Sequence, residues 1–376
     1  MELSVIILNY NVRDFLRHCI LSVQRAIQDI NSEIIIIDNN SPDDSCEMVK
    51  IEFPELLLIE NKENIGFGRA NNQAVAHAKG KYICILNPDT VVSLDVFHKC
   101  LRFIKQTPGC GAIGTRLIDG TGNFLPESKR NLPTPKASLS KLLGSEKQQN
   151  AYYANHISEE EIGPVSVLVG AFMFMLRSVY EEVGGFDRDY FMYGEDIDLS
   201  YKIEKAGYIN YYLGSALVLH YKGESTQRDK QYLDRFYGAM HIFYKKHFSK
   251  NIIVDAIIHL GIEVTKFSKL FSLKKKKVSL PEVNKIFLLS TDNVFYEKLK
   301  ANYSKPVYQV ELKDLSQKKL EDAMLVWDSN DYDYNVILEN MRLYAHKKIR
   351  YRIRPIGTQQ IIGSDRSDDK GSVVSL

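Results

Sequence analysis

Residues 3–40, LSVIILNYNVRDFLRHCILSVQRAIQDINSEIIIIDNN, decide the fold. An apolar run, SVIIL at 4–8, stops at Asn9-Tyr10-Asn11. Phe15, Leu16, Cys19, Ile20, Val23 and Ile27 then recur at helical spacing, and a second run, EIIII at 33–37, stops at Asp38. Strands without polar alternation are buried on both faces, which implies parallel strands with helices above and below. The pattern repeats downstream. Ser41-Pro42-Asp43-Asp44 opens a short helix, LLLI at 56–59 is a third strand, 67–79 is a helix closing at Gly80, and YICIL at 82–86 is a fourth strand. That strand ends at Asn87-Pro88-Asp89. Ligands of such sheets sit outside the carboxyl ends of the strands, so the three polar stops mark the candidate site.

Further along, residues 120–164 are rich in Pro, Ser, Lys and Asn and read as a long, partly mobile loop region. Order returns at VSVLVGAFMFML (165–176), followed by helix, turn and helix over 177–208. A strand at 213–223 ends its apolar run at His220, and 229–249 is an aromatic helix. Ile253, Ile257, Leu260, Val264, Phe267 and Phe271 then form one helical stripe, interrupted by charges and followed by Lys274 to Lys277. After Pro281 strand runs at 285–290, 306–312, 323–328 and 348–353 alternate with helices. The expected organisation is a catalytic α/β domain over 1–250, an amphipathic helix and basic linker over 251–280, and a small α/β domain over 281–376. The end of that domain, from Gly363, is expected to be a mobile tail.

The 376 residues carry 49 Lys plus Arg and 47 Asp plus Glu, a net charge of +2, which disfavours a dedicated nucleic-acid binder. The charge is uneven. Residues 241–277 hold nine Lys and only Asp255 and Glu263 as acids, a local +7, so the rest of the chain is at −5. An apolar stripe beside such a basic run fits a helix lying on an anionic membrane surface, and also a surface helix packed on the enzyme and followed by a basic linker. Five scattered cysteines without C-x-x-C spacing fit a reducing compartment, and the start of the chain lacks a signal-peptide pattern. The expected location is cytoplasmic, peripheral on the inner face of the membrane.

Asp38 and Asp89 each end a buried strand. A strand-end carboxylate can cap a turn; two on one sheet favour a nucleotide site, where one can bind ribose or base and another can hold a divalent metal. Gly66 and Gly68 in NKENIGFGRANNQA (61–74) lead into a helix whose free N–H groups attract a polar ligand, but the spacing is neither G-x-G-x-x-G nor a P-loop. Glu195, Asp196 and Asp198 crowd a helix start after Gly194, where the helix dipole favours acids and a cleft edge suits a general base.

Taken together, VIILNYN (5–11), IIIIDNNS (34–41), NIGFGRANN (64–72), ILNPDT (85–90), VGGFDRDYFMYGEDIDLSYKIEKAGY (183–208) and the strand ending at His220 resemble the inverting glycosyltransferases of family 2. Within the family the chain is similar to the bacterial rhamnosyltransferase-like branch. The resemblance covers roughly residues 3–225 and implies a GT-A fold. It implies that Tyr10 stacks on the base, that Asp38 binds base or ribose, and that Gly66, Phe67 and Asn71 line the donor pocket. It also implies that Asp89, aided by His220, binds Mg²⁺ or Mn²⁺, and that Asp196 of the Glu195–Asp196 pair is the catalytic base. Asn87 stands where the family's D-x-D motif has its first acid. The implied donor is a nucleotide sugar, with dTDP-L-rhamnose the first candidate, and the implied acceptor a glycan or lipid-linked glycan of the bacterial surface. An oligomer is compatible with this reading. The competing readings are a nucleotidyltransferase of related fold and a non-catalytic scaffold.

Overall fold

The computed structural model describes residues 1–133, 152–224, 230–249, 260–264, 266–267, 282–367 and 369–376. Two sheets organise them. The first has nine strands in the order β3-β2-β1-β4-β8-β6-β9-β5, with β7 paired to β9. Its first half is the parallel array expected: β1 (Leu3–Asn9), β2 (Ser32–Asp38), β3 (Leu57–Glu60) and β4 (Tyr82–Leu86). The chain runs outward through β2 and β3, then returns to the other side of β1 for β4, so the sheet's switch point lies between β1 and β4.

The second half is mixed. β6 (Cys110–Ile118) is parallel to β9 (Ile209–His220), but β8 (Phe172–Leu176) runs antiparallel to both β4 and β6. β5 (Thr90–Val92) and β7 (Ile162–Pro164) pair antiparallel with β9. The helices of this unit that bear on the site are α1 (Arg13–Ala26), α2 (Ser45–Glu52), α3 (Phe67–Val75), α4 (Val96–Gln106), α5 (Arg177–Glu182), α6 (Glu195–Lys205) and α7 (Lys230–His247).

The apolar runs explain the layering. Successive side chains of a strand face opposite ways. Val5 and Ile7 join Ile34, Ile36 and Cys84 in the core beneath α1 and α4, while Ile6, Ile35, Ile37 and Ile85 join Ala70 and Ala74 of α3 on the other face. A polar residue at any of these positions would be buried without water, which is why the runs are unbroken. All five cysteines are free thiols.

The second sheet has the order β11-β10-β12-β13-β14-β15. β10 (Lys285–Leu289), β11 (Val307–Gln309), β12 (Ala323–Asp328) and β13 (Arg350–Arg354) are parallel, and β14 (Gln360–Gly363) and β15 (Ser372–Ser375) close it antiparallel. The tail expected to be mobile is therefore an edge strand. Val373 packs on the core between the sheets, while Val374 and Leu376 pack on the opposite core, so a short polar-flanked segment is held by both faces.

The 120–164 region also departs from expectation where it is described. Arg130 bridges to Tyr153 and Val167, and Ser128 donates to Leu125 O. Of the amphipathic helix, residues 251–259, 265 and 268–277, including Lys274 to Lys277, lie outside the described residues. Residues 260–264 and 266–267 are helical; Ile262 is buried beside Leu233, Tyr237 and Tyr244, whereas Leu260, Val264 and Phe267 are exposed. No helix among the described residues is long and apolar enough to cross a membrane.

Candidate active site

The strand ends build the site. Register places Asn9 opposite Asp38, and the buried Asn9 Nδ2 donates to Asp38 Oδ2 at 2.7 Å. Ser41 donates through its N–H at 2.8 Å and its hydroxyl at 2.6 Å to the same carboxylate. Asp38 is 2% exposed, so its first task is to fold the 38–41 loop. Asn11 and Asn40 turn the two loops with φ of 59° and 65°, a left-handed geometry that Asn tolerates. Tyr10, half-buried, lies between Asn9 and Asn11.

Asn39 clamps the neighbouring loop. Its Nδ2 donates to Asn64 Oδ1 at 2.9 Å, and its Oδ1 accepts from Asn61 Nδ2 at 3.1 Å and Ile65 N at 3.2 Å. That loop delivers Gly66 with φ +88°, and a Cβ there would lie 2.5 Å from Phe191 O. Only glycine fits, and it lets Phe67 N donate to Phe191 O at 2.9 Å. One turn on, Asn71 is fully buried with Nδ2 bonded to Phe67 O and Oδ1 without a hydrogen-bond partner.

The carboxylates at the start of α6 follow two left-handed residues, Tyr193 (φ 70°) and Gly194 (φ 81°). Asp196 Oδ2 accepts from Arg130 Nη2 at 2.6 Å and from Gly170 N at 3.3 Å. Arg130 is buried and also donates to Leu168 O at 2.6 Å. A Cβ on Gly170 would sit 3.5 Å from Phe67 Cζ and 3.6 Å from Asp196 Cβ, so the Phe67 ring and the carboxylate converge there. Glu195 faces inward with Oε2 unpartnered, and burial followed by the charge of Asp196 pushes its carboxyl up to about 8. Two adjacent carboxyls thus have different surroundings: Asp196 faces a guanidinium, whereas Glu195 is buried, which favours its protonated form. Asp198 is structural. It is fully buried against His247 Nε2 at 2.6 Å and Lys202 Nζ at 3.3 Å, which ties α7 to α6.

Burial of Glu195 has a measurable consequence. Its folded value lies above the ordinary 4.5, so the folded state holds the extra proton between about 4.5 and about 8. Stability from this group therefore falls as pH rises through that window. Thermal melts from pH 5 to 9 should show a flatter decline for Glu195→Gln than for wild type; superimposable slopes would remove Glu195 as the source.

Asp89 and His220 meet because β5 pairs with β9 in a register that sets Thr90 opposite His220. Asp89 Oδ1 lies 3.3 Å from His220 Nε2, and Asn87 Nδ2 lies 3.4 Å from the same nitrogen. Both side chains are buried, and Asp89 Oδ1 and His220 Nδ1 lack hydrogen-bond partners. Among the described residues no group of three or more His, Cys, Asp or Glu could hold a metal. A carboxylate with substrate phosphates and water fits a divalent cation such as Mg²⁺, and the His220 imidazole adds a nitrogen donor beside it. Asn87 N donates to Ala171 O at 3.0 Å, next to Gly170, which links this loop to the Asp196 pocket.

The residues singled out in the sequence thus gather at the carboxyl edge of β1, β2 and β4. Comparison with known proteins identifies the arrangement: residues 4–184 match the glycosyl transferase family 2 model. These residues form a glycosyl transferase family 2 domain. The chain is 28% identical over 241 residues to N-acetylglucosaminyl-diphospho-decaprenol L-rhamnosyltransferase of Mycobacterium tuberculosis, covering 60% of this chain and 78% of that protein. It is 31% identical over 206 residues to poly-beta-1,6-N-acetyl-D-glucosamine synthase of Staphylococcus aureus, covering 53% of this chain and 45% of that one. A mannosyltransferase of Pyrobaculum calidifontis, solved with GDP-Man and Mn²⁺, aligns at a TM-score of 0.48 and 17% identity over 74% of this chain and 76% of its own.

Arg130, Asn9 and Asn39 escaped the sequence reading. Arg130 lies in an aperiodic Pro- and Ser-rich stretch, and nothing in its spacing points to Asp196, 66 residues away. The asparagines sat inside the polar stops but were not separated from their neighbours by any pattern.

Proposed function

We propose that this enzyme transfers a sugar, with inversion, from a nucleoside-diphosphate sugar to a glycan or lipid-linked glycan. The observation that carries this reading is Asp196, held by Arg130 and Gly170, beside the Phe67 ring. Asp196 takes the proton of the acceptor hydroxyl as its oxygen attacks the anomeric carbon. The bond from that carbon to the diphosphate oxygen breaks in the same in-line step, and the nucleoside diphosphate leaves with the electron pair. Arg130 orients the carboxylate and balances its charge before the proton moves. Burial favours the protonated form of Glu195, which limits negative charge beside the base. Asp89 and His220 would hold Mg²⁺ or Mn²⁺, which supplies positive charge to the departing diphosphate. Gly66, Phe67 and Asn71 line the donor pocket; the unpartnered Oδ1 of Asn71 suits a sugar hydroxyl. Tyr10 stacks on the base. Asp38, spent on Asn9 and Ser41, acts mainly by shaping the loop that meets the ribose.

The rhamnosyltransferase relative supports L-rhamnose from dTDP-L-rhamnose as the donor and a lipid-diphosphate-linked acceptor. An acceptor anchored in a membrane also gives the exposed Leu260, Val264 and Phe267 a purpose on a cytoplasmic membrane surface. A panel of nucleotide sugars with Mn²⁺, scored for nucleoside diphosphate release with and without acceptor, tests the reading. Release is expected to be greatest with dTDP-L-rhamnose and to need metal. No release from any donor would overturn it, and failure of the protein to sediment with anionic vesicles would remove the membrane component.

A further inference from the structure

The second sheet is built into the first. Phe15, Val91, Leu219 and Tyr221 share one apolar core with Trp327 and Tyr334. Arg25 Nη1 donates to Ser329 O at 2.9 Å, and Leu94 N donates to Asn335 Oδ1 at 2.6 Å. A Cβ on Gly120 would come within 2.4 Å of Ser364 O, so the backbones touch. Displacing the second sheet would open a core, which a protein interior resists.

From this base the end of the chain turns back toward the strand ends. Gly371 N donates to Glu224 Oε1 at 2.7 Å, and a Cβ on Gly371 would meet Phe15 Cζ at 2.8 Å. Gly223, with φ +78°, rests on the Asp369 backbone, whose oxygen would lie 3.0 Å from a Cβ. Lys222 before it is also left-handed, with φ 59°, and pairs with Glu127. The turn that follows His220 is therefore clasped by the tail. Between tail and strand ends lies a cleft of about 360 Å³, lined by Asn11, Arg13, Asp43, Glu224, Lys370 and Gly371 among others. Asn11 and Arg13 directly follow β1, at the sheet's switch point, where nucleotides bind in open α/β sheets.

Four acids line this cleft with Arg13 and Lys370: of these, Asp14 is paired with Arg17 at 2.6 Å and Asp44 is exposed. Asp43 is committed to the N–H groups of Ser45 and Arg13. Burial pushes the Glu224 carboxyl up, while the Gly371 N–H and the charge of Lys370 act in the opposite direction. Lys370 lines the same cleft, makes no ion pair within 4 Å among the described residues, and its charge acts on Glu224.

We propose that the C-terminal tail, Asp369 to Val373, is a wall of the donor site that binds the nucleoside diphosphate moiety. Lys370 offers its charge to the phosphates, and Gly371 fixes the turn that carries Glu224 and follows His220. This gives the second sheet a part in the reaction and rests on the donor reading above.

Calorimetric titration of the full chain with dTDP, UDP and GDP in the presence of Mn²⁺ tests it. Lys370→Glu is expected to weaken nucleoside diphosphate binding about tenfold or more with an unchanged unfolding midpoint. Lys370→Arg should bind as wild type does, and Gly371→Val should weaken binding by displacing the tail. Lys313→Glu, an exposed lysine of the second unit paired only with Glu311, is the control and should bind normally. Wild-type affinity in Lys370→Glu overturns the proposal even if Gly371→Val does not fold. A wild-type protein that binds none of the three nucleotides overturns the donor reading and this proposal together.

Discussion

Asp196→Asn should lose transfer by ~10²–10⁴-fold, the range a positioned general base contributes. It should also lose stability. The sequence alone suggests a neutral replacement at a helix start, where Asn is well tolerated. The structure sets Arg130 opposite, with 8% of its side chain exposed against 14% for Asp196. Removing the negative charge leaves a buried guanidinium with only carbonyl and hydroxyl partners. Breaking such a charged hydrogen bond costs about 2–3 kcal/mol. Replacing Arg130 by Met as well should recover much of that stability without recovering turnover. Denaturant midpoints of the two single variants and the double variant, with single-turnover rates, check both halves. Turnover near wild type in Asp196→Asn would exclude Asp196 as the base. Strictly additive stability losses would exclude the coupling to Arg130.

Asp89→Asn should behave in the opposite way toward stability. Asp89 Oδ1 is buried without a hydrogen-bond partner, and the nearest cation-forming group is His220. An isosteric neutral side chain relieves a buried charge, so the metal-free protein should melt no earlier than wild type, and later if the relief dominates. Transfer should nevertheless fall by ~10²–10³-fold, because a bound cation contributes several kcal/mol of charge stabilisation. The signature is a pair of melts. Mn²⁺ with a nucleoside diphosphate should raise the midpoint of wild type and leave Asp89→Asn unmoved. An equal rise in both proteins would place the cation elsewhere. Opposite stability changes at two site carboxylates follow from their surroundings: Asp196 has a buried counter-charge in Arg130, whereas the ionisable partner of Asp89 among the described residues is His220.

Much of this was legible along the chain. SVIIL, EIIII and YICIL could only be buried parallel strands, and their abrupt ends at Asn9, Asp38 and Asp89 marked the ligand edge before any contact was known. Gly66 was legible as a glycine leading into a helix, and the structure adds its φ of +88° and the Phe191 carbonyl that excludes a side chain there. Glu195 and Asp196 were conspicuous as acids at a helix start, yet their sequence does not say which is free. That distinction comes from Arg130, from burial and from Gly170, all contributed by distant segments.

Local pattern therefore determined the strand runs, the polar stops and the family to which they belong, because hydrophobic periodicity and backbone geometry act over a few residues. Tertiary structure alone decided that Asp198 latches α7 through His247 rather than serving as a second base. It alone decided that the polar tail is an edge strand clasping Glu224. Ion pairs, burial and cleft walls depend on segments far apart in sequence, and no spacing along the chain encodes that distance.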